Sequence, residues 1–179
     1  MREISFDQDC LCAVIVSFHP DCDQLSRLLN SLSSQVHSVV VVDNGSSESV
    51  VTWLQSFVLP VPLRVIALND NLGIARAQNE GIEAACLFGA SYVILFDHDS
   101  APATNMVAKL LVAAKRQAAR GIKVAGVGPN YLDARQNNPP PFIKVSGLRV
   151  QRQFCISPDS VVEVDYLIAS GCLIPMSTS

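Results

Sequence analysis

The chain has 179 residues, 49% of them hydrophobic and 16% charged, with a formal net charge of −3. That length suits one domain burying roughly 70% of its unfolded surface, and the composition excludes a disordered chain. The negative charge gives no support to a nucleic-acid partner, and no apolar run approaches the 18 or so residues of a membrane span.

Mean hydropathy is +0.31, high enough to imply thoroughly buried strands or a face that meets a partner or a membrane surface. The six cysteines (Cys10, Cys12, Cys22, Cys86, Cys155, Cys172) form no C-x-x-C pair and match no zinc spacing. With no secretory apolar stretch after Met1-Arg2-Glu3, they read as reduced thiols in a cytoplasmic chain.

Residues 1–9 read as a polar arm. Leu11 to Phe18 is a near-continuous apolar run, the mark of a strand covered on both faces, and Pro20 ends it. Asp21 or Asp23 can cap the next helix, whose Leu25, Leu28, Leu29, Leu32 and Val36 share one face. Val39 to Val42 is a second buried strand, closing on Asp43-Asn44-Gly45-Ser46-Ser47. A short helix carrying Trp53 and Leu54 follows, stopped by Pro60 and Pro62, and then a third strand, Leu63 to Leu68.

This βαβαβ order predicts a parallel or mostly parallel sheet between helices. Asn71-Leu72-Gly73 opens a helix running to Phe88, with Gly89 at its C-terminal turn. Its small residues allow close approach to a ligand or to the sheet. Tyr92 to Phe96 is a fourth buried strand, followed by a helix over Ala103 to Arg120 and a fifth strand at Lys123 to Val127. Beyond Gly128-Pro129 and Asn137-Asn138-Pro139-Pro140-Pro141 the helical period disappears. Phe142 to Val145 and Val161 to Ile168 read as antiparallel strands, on which Glu163 and Asp165 alternate with apolar residues as solvent-side acids.

Asp97-His98-Asp99 closes the fourth strand. Ligands of helix-flanked sheets bind at the carboxyl ends of the strands. Two carboxylates this close repel unless a cation or proton intervenes, and oxygen donors suit Mg²⁺ or Mn²⁺. The residues therefore point to a divalent ion holding a diphosphate. Asp99 and Ser100 equally suit a solvated helix start, and His98 serves either as a ligand or as a spacer.

Four stretches together resemble the inverting family 2 glycosyltransferases, most closely the bacterial rhamnosyltransferases. They are Val16-Ser17-Phe18-His19-Pro20, Asp43-Asn44-Gly45-Ser46, Asn71-x-Gly73-x-Ala75-x-Ala77-x-Asn79-x-Gly81 and Asp97-His98-Asp99, in that order at strand and helix ends over residues 11–175. The resemblance implies a GT-A fold: a Rossmann-like three-layer α/β/α domain over 1–179. Residues 11–127 would form the nucleotide-sugar-binding half and 128–179 the start of the acceptor-side half.

By the same analogy Ser17, Phe18 and His19 border a base pocket and Asp43 hydrogen-bonds the base. Asn71, Gly73, Arg76, Asn79 and His98 approach the nucleotide sugar, Asp97 lies by the ribose or, with Asp99, by the metal, and Asp99 binds Mg²⁺ or Mn²⁺. The implied donor is dTDP-L-rhamnose or a UDP-sugar. The implied acceptor is a glycan or lipid-linked glycan of a cell-surface polysaccharide such as lipopolysaccharide. Peripheral contact with the inner face of the cytoplasmic membrane and homo-oligomerisation are compatible with that role. The family's catalytic base follows the Ser-Gly element, here Ser170-Gly171, and its segment is expected past Ser179.

Two further readings come from the residues. A nucleotidyltransferase would place a Gly-rich basic loop after the first strand, where this chain has Phe18-His19-Pro20-Asp21. A non-catalytic binding or scaffold piece of a larger assembly would account for the high hydropathy without a base. A dinucleotide oxidoreductase lacks its G-x-G-x-x-G, and a hydrolase lacks a nucleophile elbow.

Overall fold

The computed structural model describes residues 9–131, 140–146, 149–157 and 160–176. All but Asp9 of the expected arm, and the Asn137-Asn138-Pro139 stretch, lie outside the described residues. In chain order the elements are β1 (Leu11–Ser17), α1 (Cys22–Ser33), β2 (Ser38–Asp43), α2 (Glu48–Ser56), β3 (Leu63–Ala67), α3 (Ile74–Leu87), β4 (Tyr92–Asp97), α4 (Met106–Ala118), β5 (Phe142–Ser146), β6 (Arg149–Gln153) and β7 (Leu173–Pro175).

One five-stranded sheet has the order β3-β2-β1-β4-β7, in which β1 to β4 are parallel and β7 is antiparallel to β4. The unbroken apolar runs follow from this position, since every residue of β1 and β2 is buried. Side chains alternate between two cores. Ala13, Ile15, Val39, Val41, Ile94 and Phe96 meet α1, α2 and α4 through Leu25, Leu28, Leu29, Leu32, Leu54, Val107 and Leu110. Cys12, Val14, Val16, Val40, Val42, Val93 and Leu95 meet α3. Asp21 caps α1, its carboxylate accepting from the Gln24 amide at 2.9 Å.

Helix α3 covers its face with Ala77, Gly81, Ala84 and Ala85. A Cβ on Gly81 would come within 2.3 Å of Val14 Cγ1. The small residues of this helix therefore serve contact with the sheet.

Two expected strands are not formed. Lys123 to Val127 contributes a single antiparallel bridge, Val127 with Leu173, because the free edge of β4 is taken by β7 and Leu173 pairs outward with Val127 alone. Val161 to Ile168 gives one bridge, Tyr166 with Ile143. The Asp165 carboxylate accepts the Val145 amide at 2.6 Å, occupying a donor that a continued ladder would need. The partner of β5 is instead β6, in a two-stranded ribbon. Helix α4 is also shorter than the expected 103–120.

Cys10, Cys12, Cys22, Cys86, Cys155 and Cys172 are all free thiols. Burial pushes Cys12 up to about 11 and raises Cys172, so both behave as small apolar side chains. No helix among the described residues is long and apolar enough to cross a membrane.

Candidate nucleotide-diphosphate cleft

The carboxyl ends of β1, β2 and β4 open into a cleft of about 390 Å³ lined by Val16, Phe18, Asn44, Asn71, Ile74, Asp97, His98 and Asp99. Parallel pairing creates it: Ser17 sits beside Asp43 and Val16 beside Asp97, so three strand ends finish side by side.

The wall below β2 is built by hydrogen bonds. Ser17 donates to Asp43 Oδ1 at 3.0 Å, and the Ser46 amide donates to Asp43 Oδ2 at 2.8 Å. Asn44 Nδ2 donates to Asn71 Oδ1 at 3.0 Å, while the Leu72 amide donates to Asn44 Oδ1 at 2.9 Å. Gly45, at φ +95, lets the two loops meet, because a Cβ there would lie 2.7 Å from the backbone of Asp70 and Asn71. The clasp sets the start of α3, where the Gly73 amide donates to Asn71 Oδ1 at 3.0 Å.

Across the cleft, Asp97 to Ser100 form a tight turn closed by the Ser100 amide on the Asp97 carbonyl at 3.1 Å. Among the described residues no side chain or amide donates to the Asp97 or Asp99 carboxylates. Burial, and then the charge of Asp99, raises Asp97 above the usual carboxylate value, with His98 opposing. The pair, half-buried Asp97 and exposed Asp99, is thus short of positive charge, which is the condition a divalent cation relieves. The described residues hold no cluster of three or more His, Cys, Asp or Glu suited to a metal. Such a donor set fits a hard ion held by one or two carboxylates together with ligand phosphates.

Of the sequence-predicted residues, Phe18, Asn71, Asp97, His98 and Asp99 line the cleft. Ser17 and Asp43 lie beneath its wall, 0% and 1% exposed, bonded to each other. Gly73 stands outside the lining at φ +85 as the N-cap of α3. His19 is exposed beside it at φ +46, its amide bonded to Ser46 Oγ at 2.8 Å and its ring 4.4 Å from that of Phe18. Arg76 and Asn79 are not brought in. Both are exposed on α3, whose inner face is Ala77 and Gly81, and Arg76 pairs with Glu80 along the helix.

Val16, Asn44 and Ile74 line the cleft without having been singled out. Asn44 had a signal in the Asp-Asn-Gly turn, but its partner Asn71 lies 27 residues away. Glu163 and Asp165 lie outside the ribbon but against its β5 strand, engaged by Lys144 Nζ at 2.9 Å and by the Val145 amide.

The same architecture recurs in solved structures. S. aureus TarS 1–349 in complex with UDP superposes with a TM-score of 0.59 at 17% identity, covering 93% of this chain and 46% of that one. The complex of TarS 1–349 with UDP-GlcNAc gives 0.52 at 20% identity, over 71% of this chain and 37% of the other. At these identities the likeness establishes the fold, the GT-A arrangement of a mostly parallel sheet between helices. The family model for glycosyl transferase family 2 matches residues 13–167, and the chain belongs to that family.

Two relatives are similar in sequence. The dTDP-rhamnosyl transferase RfbF of Shigella flexneri is 34% identical over 139 residues, 76% of this chain and 44% of RfbF. The uncharacterized glycosyltransferase YfnE of Bacillus subtilis (strain 168) is 32% identical over 101 residues, 52% of this chain and 25% of YfnE. The chain thus spans less than half the length of either.

Proposed function

We propose that this chain forms the donor site of a glycosyltransferase that takes a sugar from a nucleoside-diphosphate carrier, with L-rhamnose from dTDP-L-rhamnose as the sugar. The carrying observation is the Asp97–Asp99 pair, without donors among the described residues, at the end of β4 in a cleft of about 390 Å³. That volume falls in the range of small-ligand sites. The name of RfbF supports the choice of donor, and the UDP and UDP-GlcNAc complexes of TarS support a nucleotide sugar in general.

In this reading Phe18 and Ile74 offer apolar surface to the base, and the Asn44–Asn71 clasp fixes the wall beside it. Asp97 and Asp99 would hold Mg²⁺ or Mn²⁺, which when bound offsets the charge that builds on the departing diphosphate. His98 lies between them and adds polar contact to the sugar or phosphate. Asp43 shapes the wall through Ser17 and Ser46. For it to reach a base directly, the Ser46 bond would have to open. The acceptor is a glycan or lipid-linked glycan whose hydroxyl attacks opposite the leaving group, inverting the sugar carbon. Its proton needs a base other than Glu163 and Asp165, which the ribbon engages.

Thermal denaturation with dTDP, UDP, GDP and CDP, each with and without Mn²⁺, tests the proposal. A nucleotide at about 100 times its dissociation constant should stabilise the fold by roughly 2.7 kcal/mol. The expected result is a Mn²⁺-dependent rise in Tm, largest with dTDP and lost in Asp99→Asn. A cooperative transition unmoved by every nucleotide would overturn the reading.

A further inference from the structure

Ser170 lies far along the chain from the Asp97–Ser100 turn but touches both of its ends. Its Oγ accepts the Asp97 amide at 3.3 Å and stands 2.6 Å from Ser100 Oγ. The Ser100 amide closes the same turn on the Asp97 carbonyl. One hydroxyl therefore bridges the first and last residues of the segment that carries both carboxylates.

The backbone around Ser170 is fixed. The Gly171 amide donates to the Leu95 carbonyl at 2.6 Å, and the Leu95 amide donates to the Cys172 carbonyl at 3.1 Å. Gly171 has φ +82, and a Cβ there would lie 2.8 Å from Pro129 Cγ, so the tight approach of this segment requires glycine. Ser170 is not among the cleft-lining residues.

We propose that Ser170 is a positioning residue that staples the Asp97–Asp99 turn and so sets the separation of the two carboxylates. The binding consequence rests on the donor-site reading above; the staple itself does not. Two like charges in a half-buried turn repel, and a turn held only by the Ser100 amide would relax to part them. Of the two hydroxyl protons, one serves the Ser100–Ser170 bond. Ser170 retains a lone pair for the Asp97 amide whichever hydroxyl donates.

The test compares wild type, Ser170→Ala, Ser170→Thr and Ser100→Ala. Amide hydrogen exchange of peptides spanning 96–100 reads the staple, and calorimetric titration with dTDP, with and without Mn²⁺, reads its consequence. Loss of one such bond corresponds to a change of about ten-fold. Ser170→Ala is expected to speed exchange in the turn by about that factor. It is also expected to weaken Mn²⁺-dependent dTDP binding by about five- to ten-fold, leaving metal-free binding within about two-fold. Ser170→Thr, which keeps the hydroxyl, restores both readouts.

Ser100→Ala removes only the outer bond and is expected to give a smaller change in the same direction. Unchanged exchange in Ser170→Ala and Ser100→Ala would overturn the staple. Absence of dTDP binding in wild type would overturn the donor reading, while exchange still decides the staple.

Discussion

Two turns close neighbouring parallel strands with an acid, and they differ in what satisfies it. At the end of β2, Asp43 is 1% exposed and both its oxygens accept hydrogen bonds, from Ser17 and Ser46. At the end of β4, Asp97 is half-buried, lacks any donor among the described residues, and is raised by burial and by Asp99. The first turn is finished by the protein itself. The second is left short of positive charge, and sites that bind are where such deficits persist.

The difference can be broken from the satisfied side first. Gly45→Ala drives a Cβ into the backbone of Asp70 and Asn71 at a φ of +95. It should cost about 3 kcal/mol or more, lowering Tm by about 6–12 °C in thermal denaturation. Asp43→Ala strands the buried Ser17 hydroxyl. Chemical denaturation is expected to show a loss of about 2–4 kcal/mol.

From the other side the sign reverses. A carboxyl raised in the folded state stabilises the fold fully below its unfolded value near 3.9, and that contribution is lost as pH rises through the folded value. Ionised Asp97 therefore weakens the metal-free fold at neutral pH. Without metal, Asp97→Asn should melt higher than wild type at pH 7, with the advantage shrinking as pH falls toward 4. The smallest effect belongs to the exposed face of α3. Arg76→Ala removes a surface pair whose arginine side chain is 63% exposed. It should shift both stability and nucleotide affinity by less than about 0.5 kcal/mol.

The parallel half of the fold was legible because a strand buried on both faces must be apolar throughout. Leu11 to Phe18, Val39 to Val42 and Tyr92 to Phe96 could be little else, and Leu25 to Leu32 carried a plain helical period. Beyond Gly126 only Phe142 to Val145 was legible, as β5, because much of the remaining pairing is set by single contacts. Val127 and Tyr166 each make one bridge, and the Asp165 side chain takes a ladder donor, none of which leaves a periodic trace. In the cleft, residue types at strand ends pointed to Phe18, Asp97, His98 and Asp99. Arg76 and Asn79, expected from the resemblance to approach the nucleotide, stand on the exposed side of α3, because Gly81 presses the opposite face onto Val14. The Asn44–Asn71 and Ser100–Ser170 contacts span 27 and 70 residues, and no local signal announces them.

The most direct measurement is the Tm of wild type and Asp97→Asn at pH 7, each alone and with dTDP plus Mn²⁺. A crossover is expected. Asp97→Asn should be the more stable protein without ligand and the less stable with it, since the unrelieved carboxylate that weakens the free fold is the one proposed to hold the ion. If Asp97→Asn melts below wild type without ligand, or gains as much from dTDP and Mn²⁺ as wild type does, the Asp97–Asp99 turn is not the unsatisfied half of a metal-dependent donor site.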